Sequence, residues 1–212
     1  LVHSFDYSSA VNANAENNGS SDKLTLVQAD IRHMPFQDSV YDYVICLGVL
    51  QHTPNTEESI RNLWQKVRPG GFLVIDHYLF KWKKMFPPPV GNAQEVYRKI
   101  ILLLPKKYRM RLIIKIVDFF FPLHWKFRDS LFARRILSRL SPVCFHYDKF
   151  GLKDRLMIYE WALLDTHDGT TDFYRHLRTV KQISDYLQTL GAINIRVHEG
   201  GNGVEAFCEK SF

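Results

Sequence analysis

Cysteine is scarce and scattered in this sequence: Cys46, Cys144 and Cys208 are the only three, they lie far apart, and no CxxC pair occurs. That excludes a thiolate zinc cluster and a disulfide-stapled secreted module, and it fits a reducing, cytoplasmic setting. The opening Leu1-Val2-His3-Ser4-Phe5-Asp6 has no basic stretch followed by a long apolar one, so no signal peptide is expected. The most apolar segment, Tyr108–Phe121, is too short and too charged to span a bilayer, which takes about 20 mainly apolar residues. Acidic residues are nearly missing from one block. Residues 80–150 hold 16 of the 28 Lys and Arg but only 4 of the 22 Asp and Glu, a local net charge of +12 that leaves −6 on the remainder. The total of +6 therefore conceals a basic block in an acidic body, and the block is expected to have its own job or its own partner. With 212 residues, 46% of them hydrophobic, the chain has material for one domain plus a sizeable insertion, and disorder is excluded as its main description.

The first 78 residues alternate apolar runs with helical or polar segments. Leu1–Phe5 reads as a strand ending at Asp6, and Ser8–Asn18 as a helix stopped at Asn17-Asn18-Gly19. Leu24–Ala29 is a second strand, ending at Asp30. Tyr41–Leu47, nearly continuous in β-formers, has the character of a central parallel strand covered on both faces. Thr56 with Ser59, and the spacing of Ile60, Leu63, Trp64 and Val67, predict an amphipathic helix closed by Arg68-Pro69-Gly70-Gly71. Phe72–Ile75 is then a further buried strand. Near the end, Thr179 and Gln182 form a capping box before a helix carrying Ile183, Tyr186, Leu187 and Leu190. Ile193–Val197 and Val204–Cys208 flank Gly200-Gly201-Asn202-Gly203 as a hairpin, a better reading of these glycines than a phosphate loop. The fold class that follows is α/β: a Rossmann-like, doubly wound, mostly parallel sheet with an antiparallel C-terminal hairpin. Its core is expected in residues 1–78 and 166–212. Residues 79–165, with Lys81-Trp82-Lys83-Lys84 and Pro87-Pro88-Pro89, break the rhythm as a basic, mainly helical insertion. There Lys107, Arg111, Lys115 and Asp118 form a narrow polar stripe on an apolar helix.

In an open α/β sheet, ligands bind beyond the carboxyl ends of the strands. Those ends carry Asp6, Asp30-Ile31, Gly48 to Thr53, and Asp76-His77-Tyr78. A carboxylate ending a strand before a helix can accept from both hydroxyls of a ribose, which makes Asp6 a candidate; as a lone residue it serves equally as a turn cap. Asp30 could accept from an adenine amino group with Ile31 packed on the ring. His52 is placed either to act as a general base or to pack at the start of the next helix. His77 and Tyr78 line the same edge or pack in a loop. The stretch from Asp165 to Arg178, which includes His167, Asp168, Asp172, Tyr174 and His176, has no recognised metal-ligand spacing, so no metal is expected. It reads as a loop with Tyr174 and His176 turned toward an acceptor, or as a solvated one.

FDYS at 5–8, ADIRHMPF at 29–36, DYVICLGVLQH at 42–52 and LWQKVRPGGFLVI at 63–75 together resemble the class I S-adenosylmethionine-dependent methyltransferases, in particular the small-molecule branch with the ubiquinone and menaquinone methyltransferases. The resemblance covers residues 1–78 closely and 178–210 loosely. It implies S-adenosylmethionine as cofactor, with Asp6 on the ribose, Tyr7 beside the adenine, Asp30 and Ile31 holding the adenine, and the backbone of Leu47 and Gly48 running past the methionine moiety. It implies also that the family's glycine-rich loop and its first, mid-sheet strand precede Asp6, so the chain is expected to be an N-terminally truncated form of a longer protein. The expected activity is methyl transfer to a small-molecule or lipid-like acceptor. The insertion would act as a lid and meet an anionic membrane peripherally through residues 80–150. A nucleic-acid methyltransferase using that basic block, and a non-catalytic remnant, are the alternatives.

Overall fold

Alternation of strand and helix is realised in the computed structural model, which describes residues 1–19, 21–82, 86, 93–147, 151, 153–201 and 203–212. The expected Lys83-Lys84 and Pro87-Pro88-Pro89 segments and Asn202 of the hairpin turn lie outside the described residues. The chain divides into two compact units, Leu1–Phe80 with Tyr174–Phe212, and Lys81–Phe173.

In the first unit, β1 (Val2–Asp6) and β2 (Leu24–Gln28) form a parallel pair joined by helix α1 (Ala10–Asn18). Helix α1 stops where expected, at Gly19, which takes φ 68° and returns its N–H to the carbonyl of Ala15. A second sheet has the order β3-β4-β6-β5, built from β3 (Tyr41–Cys46), β4 (Val67–His77), β5 (Ala192–Glu199) and β6 (Val204–Lys210). The β3–β4 pairing is parallel; β6 runs antiparallel to both β4 and β5, as the hairpin reading requires. The sheet is thus mixed, parallel where the chain crosses over through a helix and antiparallel where a short turn reverses it.

Two local expectations change. Strand β3 is at the edge of its sheet: among the described residues it pairs only with β4, and Tyr43 and Ile45 are 59% and 62% exposed. Continuous β-forming character describes the strand but does not say how many neighbours it has. The Arg68–Gly71 run, expected to be a turn, lies inside β4, because Val67 already takes extended angles (φ −67°, ψ 130°) at the end of the preceding helix and Pro69 cannot continue that helix. Gly71 is required there. A Cβ on it would meet the carbonyl oxygen of Tyr41 at 2.9 Å and those of Arg68 and Asp42 at 3.0 Å.

Helix α2 (Thr56–Lys66) is capped one residue earlier than expected, by Asn55, whose side chain accepts from the Glu58 N–H at 3.0 Å. It buries Ile60, Leu63 and Trp64. The later helix α7 (Val180–Thr189) is held at its start by the capping box: Thr179 Oγ1 accepts from Gln182 N–H, and Gln182 Oε1 accepts from Thr179 N–H. Its Ile183 and Leu187 share one hydrophobic core with α2, Leu73 and Ile75 of β4, and Val204 and Ala206 of β6.

The second unit is helical: α3 (Ala93–Leu103), α4 (Lys106–Lys126), α5 (Leu131–Leu140) and α6 (Arg155–Thr171). In α4, Ile113, Val117, Phe121 and His124 fall on one side and are buried, and the stripe of Lys107, Arg111, Lys115 and Asp118 is exposed. Ile101, Val143, Phe145 and Ala162 complete this core. The expected boundary at 165/166 falls inside α6, which continues to Thr171. Asp154 caps its start, and Thr170 and Thr171 donate back to the carbonyls of Thr166 and His167, so their hydroxyls are satisfied within the helix. Asp165, His167 and Asp168 are therefore helical, not part of a loop, and Asp165 pairs with His146. No helix among the described residues is long and apolar enough to cross a membrane.

Candidate active site

The carboxyl ends of the parallel strands carry most of the expected residues. Asp6 is the last residue of β1 and is exposed; its Oδ1 accepts from both the N–H and the hydroxyl of Ser8 at 2.7 Å, closing the turn into α1. Its Oδ2 accepts no hydrogen bond among the described residues. Tyr7 is 76% exposed, and its carbonyl accepts from Gln28 Nε2. Beyond β3, Leu47 is exposed and Gly48 takes φ 75° with no atom within 4 Å of where a Cβ would stand. The Gly48 N–H donates to Oδ1 of buried Asp76, at 2.6 Å, so a carboxylate from β4 fixes the loop that leaves β3. An open carboxylate oxygen at Asp6 and an uncrowded backbone at Gly48 suit a ribose diol and the backbone-lined end of an adenosyl cofactor.

Asp30 and Ile31 are both engaged within the protein. Asp30 is gripped by Arg32: the guanidinium donates through Nε to both oxygens and through Nη2 at 2.6 Å, and the Arg32 N–H adds a further bond. These bonds engage both oxygens and hold the carboxyl below its usual range. Ile31 is only 6% exposed and belongs to the core. A sequence shows that an acid and an apolar residue end a strand; it does not show that the arginine two places on will claim the acid.

At the end of β4 several expected side chains meet. His52 closes the short 3-10 turn Leu50–His52, where its Nδ1 lies 3.4 Å from the Tyr174 carbonyl and its ring stands edge-on to Tyr78 at 5.3 Å. Tyr174 stacks on His176, and the His176 N–H donates to the carbonyl of Gln51 at 2.9 Å. The Arg175 guanidinium lies over the Tyr78 ring. His77 is different. It is 1% exposed, with Nε2 at 3.2 Å from the Thr56 hydroxyl and Nδ1 at 3.1 Å from the Tyr78 carbonyl, so it braces the edge from beneath instead of lining it.

Burial pushes the His77 imidazole down to about 4, the carbonyl of Tyr78 opposing this and the charge of Arg178 adding to it. A folded value below the unfolded one, near 6.5, means the unfolded chain takes up this proton first as pH falls. The stabilisation is complete above pH 6.5 and is lost through the window from 6.5 to about 4, at up to about 1.4 kcal/mol per pH unit. Urea titrations between pH 7 and pH 4.5 are expected to show this slope reduced in His77→Asn. An unchanged slope would assign the acid sensitivity to other groups.

Two features here carried no sequence signal. Glu57 and Arg178 form a two-pronged ion pair at 2.8 and 3.0 Å across 121 positions of sequence, and the Tyr186 hydroxyl donates to the Glu57 carbonyl. The pair holds Glu57 below the usual carboxylate range and ties the segment carrying Tyr174 and His176 to α2. Gln51 is fully buried, and neither atom of its side-chain amide has a hydrogen-bond partner among the described residues. A buried amide without partners is uncommon, and beside His176 it offers both a donor and an acceptor.

Residues 1–75 match a family model described as a methyltransferase domain. The likeness to a methyltransferase domain is thus confined to about the first third of the chain. Over 61 residues it is 36% identical to the sterol 4-C-methyltransferase strm-1 of Caenorhabditis elegans, covering 28% of this chain and 18% of that protein. It is 39% identical, also over 61 residues, to the ubiquinone biosynthesis O-methyltransferase of Rickettsia prowazekii, covering 29% and 23%. The ubiquinone/menaquinone biosynthesis C-methyltransferase of Bartonella henselae is 33% identical over 64 residues, covering 29% and 24%. The chain thus aligns with about a fifth to a quarter of the length of these relatives, and the matched segment holds Asp6, Gly48 and His52.

Proposed function

We propose that the protein transfers a methyl group from S-adenosylmethionine to a small-molecule or lipid-like acceptor. The reading is supported by two strand-end features, an Asp6 oxygen without a hydrogen bond among the described residues at the end of β1, and the uncrowded Gly48 backbone pinned by Asp76 at the end of β3. Asp6 would receive the ribose hydroxyls, Tyr7 would lie beside the adenine, and Leu47 and Gly48 would border the methionine end. When bound, the cofactor supplies an electrophilic methyl on a sulfonium, so the protein's task is chiefly alignment.

His52, Tyr78, Tyr174 and His176 then surround the acceptor, with the buried Gln51 beneath them. A proton on His52 Nδ1, donated to the Tyr174 carbonyl, makes Nε2 the basic atom, suited to take a proton from an acceptor hydroxyl. His77, Glu57 and Arg178 act by position, fixing the elements that present these groups. A peripheral contact of residues 80–150 with an anionic membrane would give access to a lipid-like acceptor, and the relatives named for sterols and ubiquinone make that acceptor class the natural first choice.

Calorimetric titration with S-adenosylmethionine tests the cofactor half directly; saturable binding is expected, and its absence would sink the reading. Incubation with methyl-labelled cofactor and a panel of quinol, sterol and phenol acceptors tests the other half through label recovered in the organic phase.

A further inference from the structure

Helix α5 (Leu131–Leu140, LFARRILSRL) has no buried residue. Globular helices are held mainly by the apolar face they bury, and this one turns a large part of its apolar surface outward. Phe132, Ile136 and Leu140 recur every four residues and so form one ridge along the helix; they are 76%, 42% and 55% exposed, with Leu131 at 71%. Arg135 and Arg139, also four apart, form a parallel row flanking that ridge, and both are exposed. The half-buried side carries Ala133, Leu137 and Arg134, whose guanidinium lies 4.1 Å from the centre of the Tyr147 ring. No acidic residue occurs in the helix, and the start is fixed by Ser130, whose side chain accepts from the Ala133 N–H. The helix is thus formed, capped and packed by one side only, and its outer side joins an apolar ridge to a cationic row.

We infer that α5 is an in-plane membrane helix that lays the Phe132–Ile136–Leu140 ridge between the acyl chains of an anionic bilayer, with Arg135 and Arg139 at the phosphate level. This rests on the reading that residues 80–150 meet such a membrane, and it moves the contact from the exposed α4 stripe to α5. The α4 stripe includes the acidic Asp118, and the exposed Tyr108 and Phe119 beside it stand eleven residues apart; on α5 the ridge is continuous and no acid interrupts the cations. Insertion at the interface takes apolar area and lipid-facing cations together, and α5 has both; ten residues are too few to cross the bilayer. A polynucleotide would be met by the arginines but would gain nothing from isoleucine and leucine on the same ridge. A row of arginines carries the charge complementary to phosphatidylserine headgroups, about which a second, equally basic copy of α5 offers nothing.

Sedimentation of the protein with vesicles separates these cases. The parent is expected to pellet at least about tenfold more with phosphatidylcholine–phosphatidylserine vesicles than with phosphatidylcholine alone. Phe132→Ser/Ile136→Ser/Leu140→Ser should lose that binding about tenfold, and Arg135→Gln/Arg139→Gln should lose the preference for anionic vesicles. Lys107→Gln/Arg111→Gln/Lys115→Gln on α4 should stay within about twofold of the parent. Because none of the α5 residues is buried, circular dichroism and melting curves should be unchanged. A parent that binds no anionic vesicle overturns the membrane reading and this inference together. Binding that survives both α5 variants but fails in the α4 variant overturns the α5 assignment alone. Release of the bound parent by single-stranded RNA, or loss of a concentration-dependent dimer in the triple variant, would overturn it in favour of a nucleic acid or of a second copy.

Discussion

Alanine in place of Asp6 is expected to weaken S-adenosylmethionine binding about a hundredfold with little change in melting temperature. The side chain is exposed, so its removal leaves no cavity, and the internal bonds lost among the described residues are those to Ser8 at the turn. A hydrogen bond to a charged acceptor contributes about 1.5–3 kcal/mol, and the two hydroxyls of a ribose would both be lost. Asp6→Asn keeps an oxygen for Ser8 but removes the charge, so it should fall between, near tenfold. Calorimetric titration of the three proteins reads the series. If Asp6→Ala bound as well as the parent, the ribose assignment would be wrong.

Truncating Ile60 to alanine is expected to destabilise the first unit by about 2–5 kcal/mol, against no more than about 0.5 kcal/mol for Ile45→Ala. Both are isoleucines, and it is β3 (YDYVIC), not α2 (TEESIRNLWQK), whose sequence looks the more apolar. Ile60 is completely buried between α2 and the sheet, where a lost side chain leaves a cavity the neighbours cannot close. Ile45 is 62% exposed on edge strand β3, and the methyl groups removed there already face solvent. Urea unfolding followed through Trp64 fluorescence would measure both. A loss at Ile45 comparable to that at Ile60 would mean that β3 is covered in solution, as its sequence alone suggests.

That contrast marks where reading residues in order stops being enough. The spacing of Ile60, Leu63 and Trp64 follows the helical period, so the inward face of α2 is decided locally, and the structure buries those same three. The Thr179–Gln182 capping box and the hairpin of β5 and β6 are likewise contacts between near neighbours in sequence, and both form. The edge placement of β3 is a count of neighbours in space. No period along seven residues encodes it.

The candidate site divides in the same way. Asp6, Gly48, His52 and Tyr78 are candidates because they follow strands in an alternating α/β chain, the family resemblance names Asp6 and Gly48, and Tyr174 and His176 come from the Asp165–Arg178 stretch. Asp30 and Ile31 are candidates by the same rule and are engaged within the protein, one by Arg32 and the other in the core, since side-chain competition is settled by geometry at the ångström scale. Glu57 with Arg178, and Gln51 beneath His176, are joined across more than 120 positions and leave no trace in either local neighbourhood. Sequence by itself determined most elements of the first unit, their order, the α/β class and the charge division between body and basic block, because these follow from composition and from periods of two and 3.6 residues. Tertiary structure alone decided which strand stands at the edge, which histidine is buried to brace the site and which faces it, and that α5 keeps an apolar ridge outside any core. Burial and partner choice are properties of distance in space, which the order of residues does not contain.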